Sequence, residues 1–267
     1  MISNYYITTV RPNCDNNPGT VFDDGDIVFD WTPFEIPIGT AALVNITVHQ
    51  FGRDGVASLL GEDMFLYFAK SINGVAPPTL GTQHANPTAI TATASRRNII
   101  GSTYLDRSAM SDEGAGPTAP PLIGFNVWSN TNSGQNVNEG SIVTMLEGDP
   151  SYSSTAGYQT IWVAGVGTAA TGEWLFDTSI ASNEGGGANV AANMTGDTVT
   201  LVTSGTDPRK VFAPGDIAIG STGGPTMEVV EVTGALEMKV KNISEQLDNA
   251  EIINPRNPFT FRFGFKY

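Results

Sequence analysis

Residues able to do chemistry are few in this chain, and they are scattered. Gly165-Val166-Gly167-Thr168-Ala169-Ala170 matches the dinucleotide fingerprint G-x-G-x-x-A, whose glycines let a pyrophosphate approach a helix N-terminus. The fingerprint needs a helix next. Here Thr171-Gly172 and then Glu173 to Asp177 read as a turn and another strand, so a hairpin accounts for the glycines. His49 and His84 are the only histidines, and with Cys14 they fall short of the donors a zinc site takes. No G-x-S-x-G nucleophile elbow occurs. Asp23, Asp24, Asp26 and Asp30 offer oxygens of the kind calcium takes, but without the EF-hand spacing, so they read as a solvated turn. Carboxylate pairs for glycoside hydrolysis can be drawn in many ways from 27 acids and carry no signal. Trp31, Trp128, Trp162 and Trp174 suggest a sugar-stacking platform, yet each sits in an apolar strand pattern that reads as core. The expectation is a protein that is not an enzyme, with no catalytic residues, no cofactor and no metal.

Charge is more informative. From Ser108 to Pro208 there is no lysine or arginine, while ten acids lie in that stretch, and the whole chain carries −14. Such a window does not attract nucleic acid or an anionic membrane. The local basic pairs, Arg96-Arg97 and Arg209-Lys210, do not amount to a nucleic-acid patch. The window is expected to face away from a partner, with Arg53, Arg96, Arg97, Arg209, Lys210, Arg262 and Lys266 on the flanks that hold contacts.

The elements that must position these groups are strands. Thirty glycines and sixteen prolines in 267 residues, at only 15% charged, favour short strands and many turns. Strands are expected at Ile2 to Val10, Asp26 to Trp31, Ala41 to Gln50, Asn98 to Leu105, Leu122 to Ser129, Ser141 to Glu147, Tyr158 to Val166 and Glu173 to Asp177. Met64 to Lys70 is apolar throughout and reads as a doubly buried strand or a short helix. Five more strands are expected from Asp197 to Tyr267, and Ile243 to Ala250 has the most helical character. Gly-Asp opens strands at Gly25-Asp26, Gly196-Asp197 and Gly215-Asp216, a repetition of turn chemistry. The last strand alternates Phe259, Phe261, Phe263, Phe265 and Tyr267 against Thr260, Arg262, Gly264 and Lys266. Burying those aromatics contributes about 10 kcal/mol before entropy. One cysteine excludes an intrachain disulfide framework, the N-terminus does not read as a secretory signal, and no run approaches the ~18 apolar residues of a spanning helix. The fold expected is all-β: a jelly-roll-like β-sandwich over residues 1–192, then a small β-barrel-like domain over 193–267.

Val21-Phe22-Asp23-Asp24-Gly25-Asp26-Ile27, the Pro37-Ile38-Gly39-Thr40 turn, Val211-Phe212-Ala213-Pro214-Gly215-Asp216-Ile217 and the aromatic final strand together resemble virion structural proteins of tailed bacteriophages. The likeness is to capsid decoration, or cement, proteins and related fibre proteins. It is one of style, spread over most of the chain, and carries over no functional residue. It implies a protein made in the host cytoplasm and carried in the virion. Such a protein binds the major capsid protein of a phage and self-associates, a trimer being the preferred state. It touches neither nucleic acid nor membrane. The candidate subunit or capsid contacts are Arg262, Lys266, Phe259, Tyr267, Arg209 and Lys210. The alternatives are a tail, neck or fibre component and a carbohydrate-binding β-sandwich.

Overall fold

In the computed structural model the residues described are 4–14, 22–53, 64–87, 96–105, 111–112, 124–129, 144–168, 180–183, 199–204, 208–210, 212–220, 225–245, 247, 252–257 and 259–267. They form two stacked antiparallel sheets and a closed barrel. The first sheet runs β1 (Tyr5–Val10), β16 (Phe259–Lys266), β3 (Ala41–Arg53), β7 (Gly124–Ser129) and β6 (Ser111–Asp112), with β8 (Thr144–Leu146) paired to the start of β3. The second runs β2 (Ile27–Pro37), β9 (Tyr158–Gly167), β4 (Met64–Ala69) and β5 (Ile99–Leu105).

Set aside the short β6 and β8, and number the remaining eight strands of the two sheets from one to eight along the chain. The first sheet then reads 1-8-3-6 and the second 2-7-4-5. Chain neighbours thus pass repeatedly from one sheet to the other, and every adjacent pair is antiparallel. This is the strand order of a jelly roll.

The alternating aromatics explain why the sheets stack. Phe259, Phe261, Phe263 and Phe265 are each fully buried on the inner face of β16. Phe263 stacks on Phe34 at 5.2 Å and meets Phe68 edge-on at 5.5 Å, while Phe261 lies 5.4 Å from Phe29. Met64 to Ala69 is a strand, with Met64, Leu66 and Phe68 inward and Phe65 outward. Gly165 sits in mid-strand opposite this core, where a Cβ would lie 2.3 Å from the Phe29 ring. Gly165→Ala is therefore expected to cost about 1–3 kcal/mol through overpacking, read as a lower midpoint in urea unfolding. An unchanged midpoint contradicts the packing described.

The barrel closes as β10 (Ile180–Asn183), β11 (Val199–Ser204), β14 (Glu237–Lys241), β13 (Thr226–Val232), β12 (Ile217–Ile219) and β15 (Ile252–Pro255). Its own core is Phe212, Ala218, Met227, Val229, Met238, Val240, Ile243, Leu247 and Ile253. The barrel is inserted between the seventh and eighth jelly-roll strands and does not follow the sandwich. β10 lies N-terminal to the expected division at 192/193, and β16, expected in the barrel-like domain, belongs to the sandwich. The reason is volume: four phenylalanines fit the large inter-sheet space opposite Phe29, Phe34 and Phe68, while the barrel core is filled by its own strands.

Two turns built alike start β2 and β12. Asp26 N–H donates to Asp23 O at 3.0 Å and Asp23 N–H to Asp26 Oδ2 at 2.8 Å. Asp216 N–H donates to Ala213 O at 3.1 Å and Ala213 N–H to Asp216 Oδ2 at 2.7 Å. Gly25 and Gly215 hold φ of 87° and 89°, the left-handed third position of a type II turn. The second turn also ties the two bodies together. Arg11 pairs with Asp216, Cys14 N–H donates to Arg256 O at 2.7 Å, and Asn257 Nδ2 donates to Asn13 Oδ1 at 2.8 Å.

The stretch without cations is not one face. It supplies β6, β7 and β8 at one side of the first sheet, the fully enclosed β9 of the second, and β10 and β11 of the barrel. Of the expected helix from Ile243, residues 243–245 are not helical, and 246 and 248–250 lie outside the described residues. So do the third Gly-Asp turn, at Gly196-Asp197, and the expected strand Glu173 to Asp177.

Candidate docking face

The outer face of the first sheet brings together what the sequence left scattered. Register places Tyr5 beside Lys266, Lys266 beside Ala42, and Ala42 beside Met145. One row further lie Ile7, Gly264 and Asn45, and beyond them Thr9, Arg262 and Thr47. These side chains point outward because strand alternation sends the phenylalanines of β16 inward. Tyr5 is 67% exposed, Ile7 69% and Met145 54%. Gly264 has no side chain to cover the flank of Ile7. Arg262 and Lys266 are exposed and form no ion pair among the described residues. The described carboxylate at the margin is Glu147, which accepts from Thr40 Oγ1 at 3.5 Å. The face is therefore apolar and cationic on a chain of net charge −14. Burial, and secondarily the Arg262 guanidinium, push the His49 imidazole below its ordinary pKa on the same face.

The other expected contacts fall elsewhere. Phe259 is fully enclosed in the inter-sheet core, so its side chain is not a contact. Tyr267 is half-buried, with its hydroxyl donating to Pro37 O at 3.1 Å. Burial first, then Tyr6 and Tyr158, push its pKa up to about 12. Arg209 is exposed on the short 3-10 turn Pro208–Lys210, remote in topology from β16, and the Lys210 side chain lies outside the described residues. Tyr5, Ile7 and Met145 were missed: a single exposed apolar residue has no signature until register puts three in one patch.

Several of the groups considered for catalysis or binding are engaged within the fold. Asp26 caps its turn, and Asp30 accepts from Trp31 N–H, Leu80 N–H and the Thr79 hydroxyl. No cluster of three or more His, Cys, Asp or Glu is placed to hold a metal among the described residues. His84 has a left-handed backbone and stacks on Phe22 at 4.0 Å. Gly165 and Gly167 lie within β9. Trp31 is half-buried and donates from Nε1 to Pro78 O, and Trp162 is buried against Tyr152; the side chains of Trp128 and Trp174 lie outside the described residues. On the outer face of the second sheet, Phe65, Tyr67 and Tyr104 form an aromatic group, with Phe65 5.1 Å from Tyr104 and 6.1 Å from Tyr67.

A surface pocket of about 290 Å³ is lined by residues including Lys70, Ser71, Asn73, Asp149 and Ser151. Its carboxylate is already engaged, accepting from Ser71 Oγ, Gly74 N–H, and the N–H and hydroxyl of Ser151. Burial pushes the Asp149 pKa up, but these hydrogen bonds together outweigh it and hold the group below its ordinary value. Glu35 is likewise lowered, first by the Ser153 hydroxyl, then by Thr155. A lowered carboxylate pKa stabilises fully above the unfolded-state value and loses its effect as pH falls through the folded one. Unfolding midpoints are therefore expected to be flat above about pH 7, to start falling below about pH 6.5, where unfolded His49 takes up a proton that the folded state resists, and to fall further below about pH 4 as the two carboxylates protonate. The double variant Glu35→Gln with Asp149→Asn is expected to have a shallower acid slope. An equal slope in both proteins contradicts the role given to these bonds.

No family model matches the sequence, and neither the curated proteins nor the solved structures compared with it give a match. The class defined by the fold is an all-β, sandwich-like protein with an inserted barrel.

Proposed function

We propose that this chain is a non-enzymatic virion structural protein that decorates or cements the outer surface of a tailed-phage capsid, docking on the major capsid protein through the outer face of β1 and β16. The observation that carries the reading is that face: Tyr5, Ile7 and Met145 exposed around Arg262 and Lys266, on an otherwise acidic molecule. Exposed apolar groups rimmed by charge mark docking surfaces, and complementary potentials guide association and set its register. A jelly roll with carboxylates and glycines committed to turns and packing suits a scaffold; fold alone does not assign a function. Self-association, as a trimer, is part of the reading and is checked by light scattering. Co-sedimentation with undecorated capsids tests the docking: binding that weakens as salt rises supports it, and no binding at any salt removes it.

A second reading, a carbohydrate-binding sandwich, is favoured by the Phe65, Tyr67 and Tyr104 group, since exposed aromatic faces stack on sugars. A blank glycan array removes it.

A further inference from the structure

We propose that the open edge of β1 takes up an extended, carboxylate-bearing strand of a partner protein, adding it to the first sheet. This deepens the docking reading and rests on it for the partner's identity, but the edge chemistry stands by itself. Tyr267 N–H donates to Asn4 O at 3.0 Å, so Asn4 and Tyr267 are a hydrogen-bonded pair. Such pairs recur at every second residue of an antiparallel ladder. Tyr6 with Phe265, Thr8 with Phe263 and Val10 with Phe261 are therefore bonded pairs in the observed register. The N–H and C=O groups of Tyr5, Ile7 and Thr9 consequently point away from β16. They make no hydrogen bond to any described residue.

Natural sheets blunt such edges with charge, proline, bulges or a covering segment. β1 reads Tyr-Tyr-Ile-Thr-Thr-Val, with neither charge nor proline, and its register with β16 has no shift. The other edges are managed: β6, at the far side of the same sheet, is only Ser111–Asp112 and carries an acid. β2 exchanges hydrogen bonds with the 84–85 loop, through Ile27 N–H to Ala85 O and His84 N–H to Ile27 O. β5 contains Gly101, and its pairing with β4 shifts register at Phe68 and Ala69. β1 alone among these is straight and neutral, and no described residue hydrogen-bonds its outer edge.

Charge chooses the occupant. On the outer face Lys266 flanks Tyr5 and Arg262 flanks Thr9, one strand in from the open edge. An added strand with apolar or Thr side chains against Ile7 and a carboxylate toward each end meets both cations. A second copy fits worse. Antiparallel pairing of β1 with its like, centred on Ile7, puts cations at both ends of the outer rows and brings together two chains of −14. The exposed apolar area at the edge is mainly Tyr5 and Ile7, well short of the ~800 Å² per partner of a stable interface. Addition of a single strand relies on main-chain bonds instead.

The test uses the whole protein and three capped seven-residue probes. The first is Thr-Glu-Thr-Val-Thr-Glu-Thr, the second has lysine for both glutamates, and the third is the acidic peptide N-methylated on alternate amides. Amide hydrogen exchange is followed by NMR. The acidic probe is expected to slow exchange at Tyr5, Ile7 and Thr9 by about tenfold or more, leaving Tyr6, Thr8 and Val10 unchanged. The lysine and N-methyl probes are expected to leave exchange at all six residues unchanged, and Ile7→Glu, which sets an acid against the acidic probe at an exposed position, is expected to abolish the effect while keeping the unfolding midpoint. No protection, or equal protection by all three probes, overturns the proposal. So does a dimer of the peptide-free protein that Ile7→Glu dissolves, since a second copy is then the occupant. Capsid binding that fails while the acidic probe binds removes the coat as partner and leaves the edge proposal standing.

Discussion

Phe263→Ala is expected to destabilise the protein by about 3–5 kcal/mol. That is a large share of the ~5–15 kcal/mol that holds a typical domain folded. Phe263 is fully buried at the centre of the aromatic contacts, touching Phe34, Phe68 and Phe261 from both sheets. Its removal leaves a cavity that three rigid rings cannot refill by small movements. The measurement is the denaturant midpoint. Phe263→Leu, which keeps part of the volume, is expected to fall between the wild type and Phe263→Ala. Lys266→Ala, three residues along β16 and on the other face, is expected to stay within about 0.5 kcal/mol. A loss below about 1 kcal/mol for Phe263→Ala contradicts the assignment of β16 to the core between the sheets.

The second large effect is on docking. Arg262→Glu with Lys266→Glu is expected to lower capsid affinity by about 100-fold or more, because like charges set against an acidic partner cost several kcal/mol. Both side chains are exposed and without a salt bridge among the described residues, so the unfolding midpoint is expected to stay within about 0.5 kcal/mol of wild type. That separation of binding from stability sets these two residues apart from Phe263 on the same strand. A double variant that binds undecorated capsids as tightly as wild type takes the docking face out of the account.

Much of the fold was legible because strand periodicity is a local property. The alternation of Phe259 to Tyr267 predicts a strand with one buried face, and the pairing of β16 between β1 and β3 agrees. The apolar run at Met64 resolves as a strand with one buried face, not a doubly buried one: Met64, Leu66 and Phe68 are enclosed between the sheets, while Phe65 is exposed and Tyr67 half-buried. Two barrel strands were not legible. β10, Ile-Ala-Ser-Asn, lies at the start of a glycine-rich stretch, and β15, Ile-Ile-Asn-Pro, ends in proline; both are too short to show a period. The insertion of the barrel was hidden for another reason. Which sheet a strand joins depends on distant volumes, here the space facing Phe29, Phe34 and Phe68.

The candidate site was half legible. Arg262 and Lys266 stand out as the cations of the outward half of an amphipathic strand. Phe259 belongs to the inward half of the same strand, so its burial follows from the alternation that exposes Arg262. Tyr5, Ile7 and Met145 join those cations only through cross-strand register, which no local pattern encodes. The absence of cations from Ser108 to Pro208 looked like a single surface, but the jelly-roll path distributes that stretch over both sheets and the barrel.

The claim that matters most is which surface meets the coat. Electron cryomicroscopy of capsids saturated with this protein tests it directly. The expected result is added density fitted by the jelly roll with the β1 and β16 face, Arg262 and Lys266 included, turned onto coat subunits. Density that seats the barrel or the Phe65 and Tyr104 face on the coat, or saturating protein that leaves no added density, contradicts it.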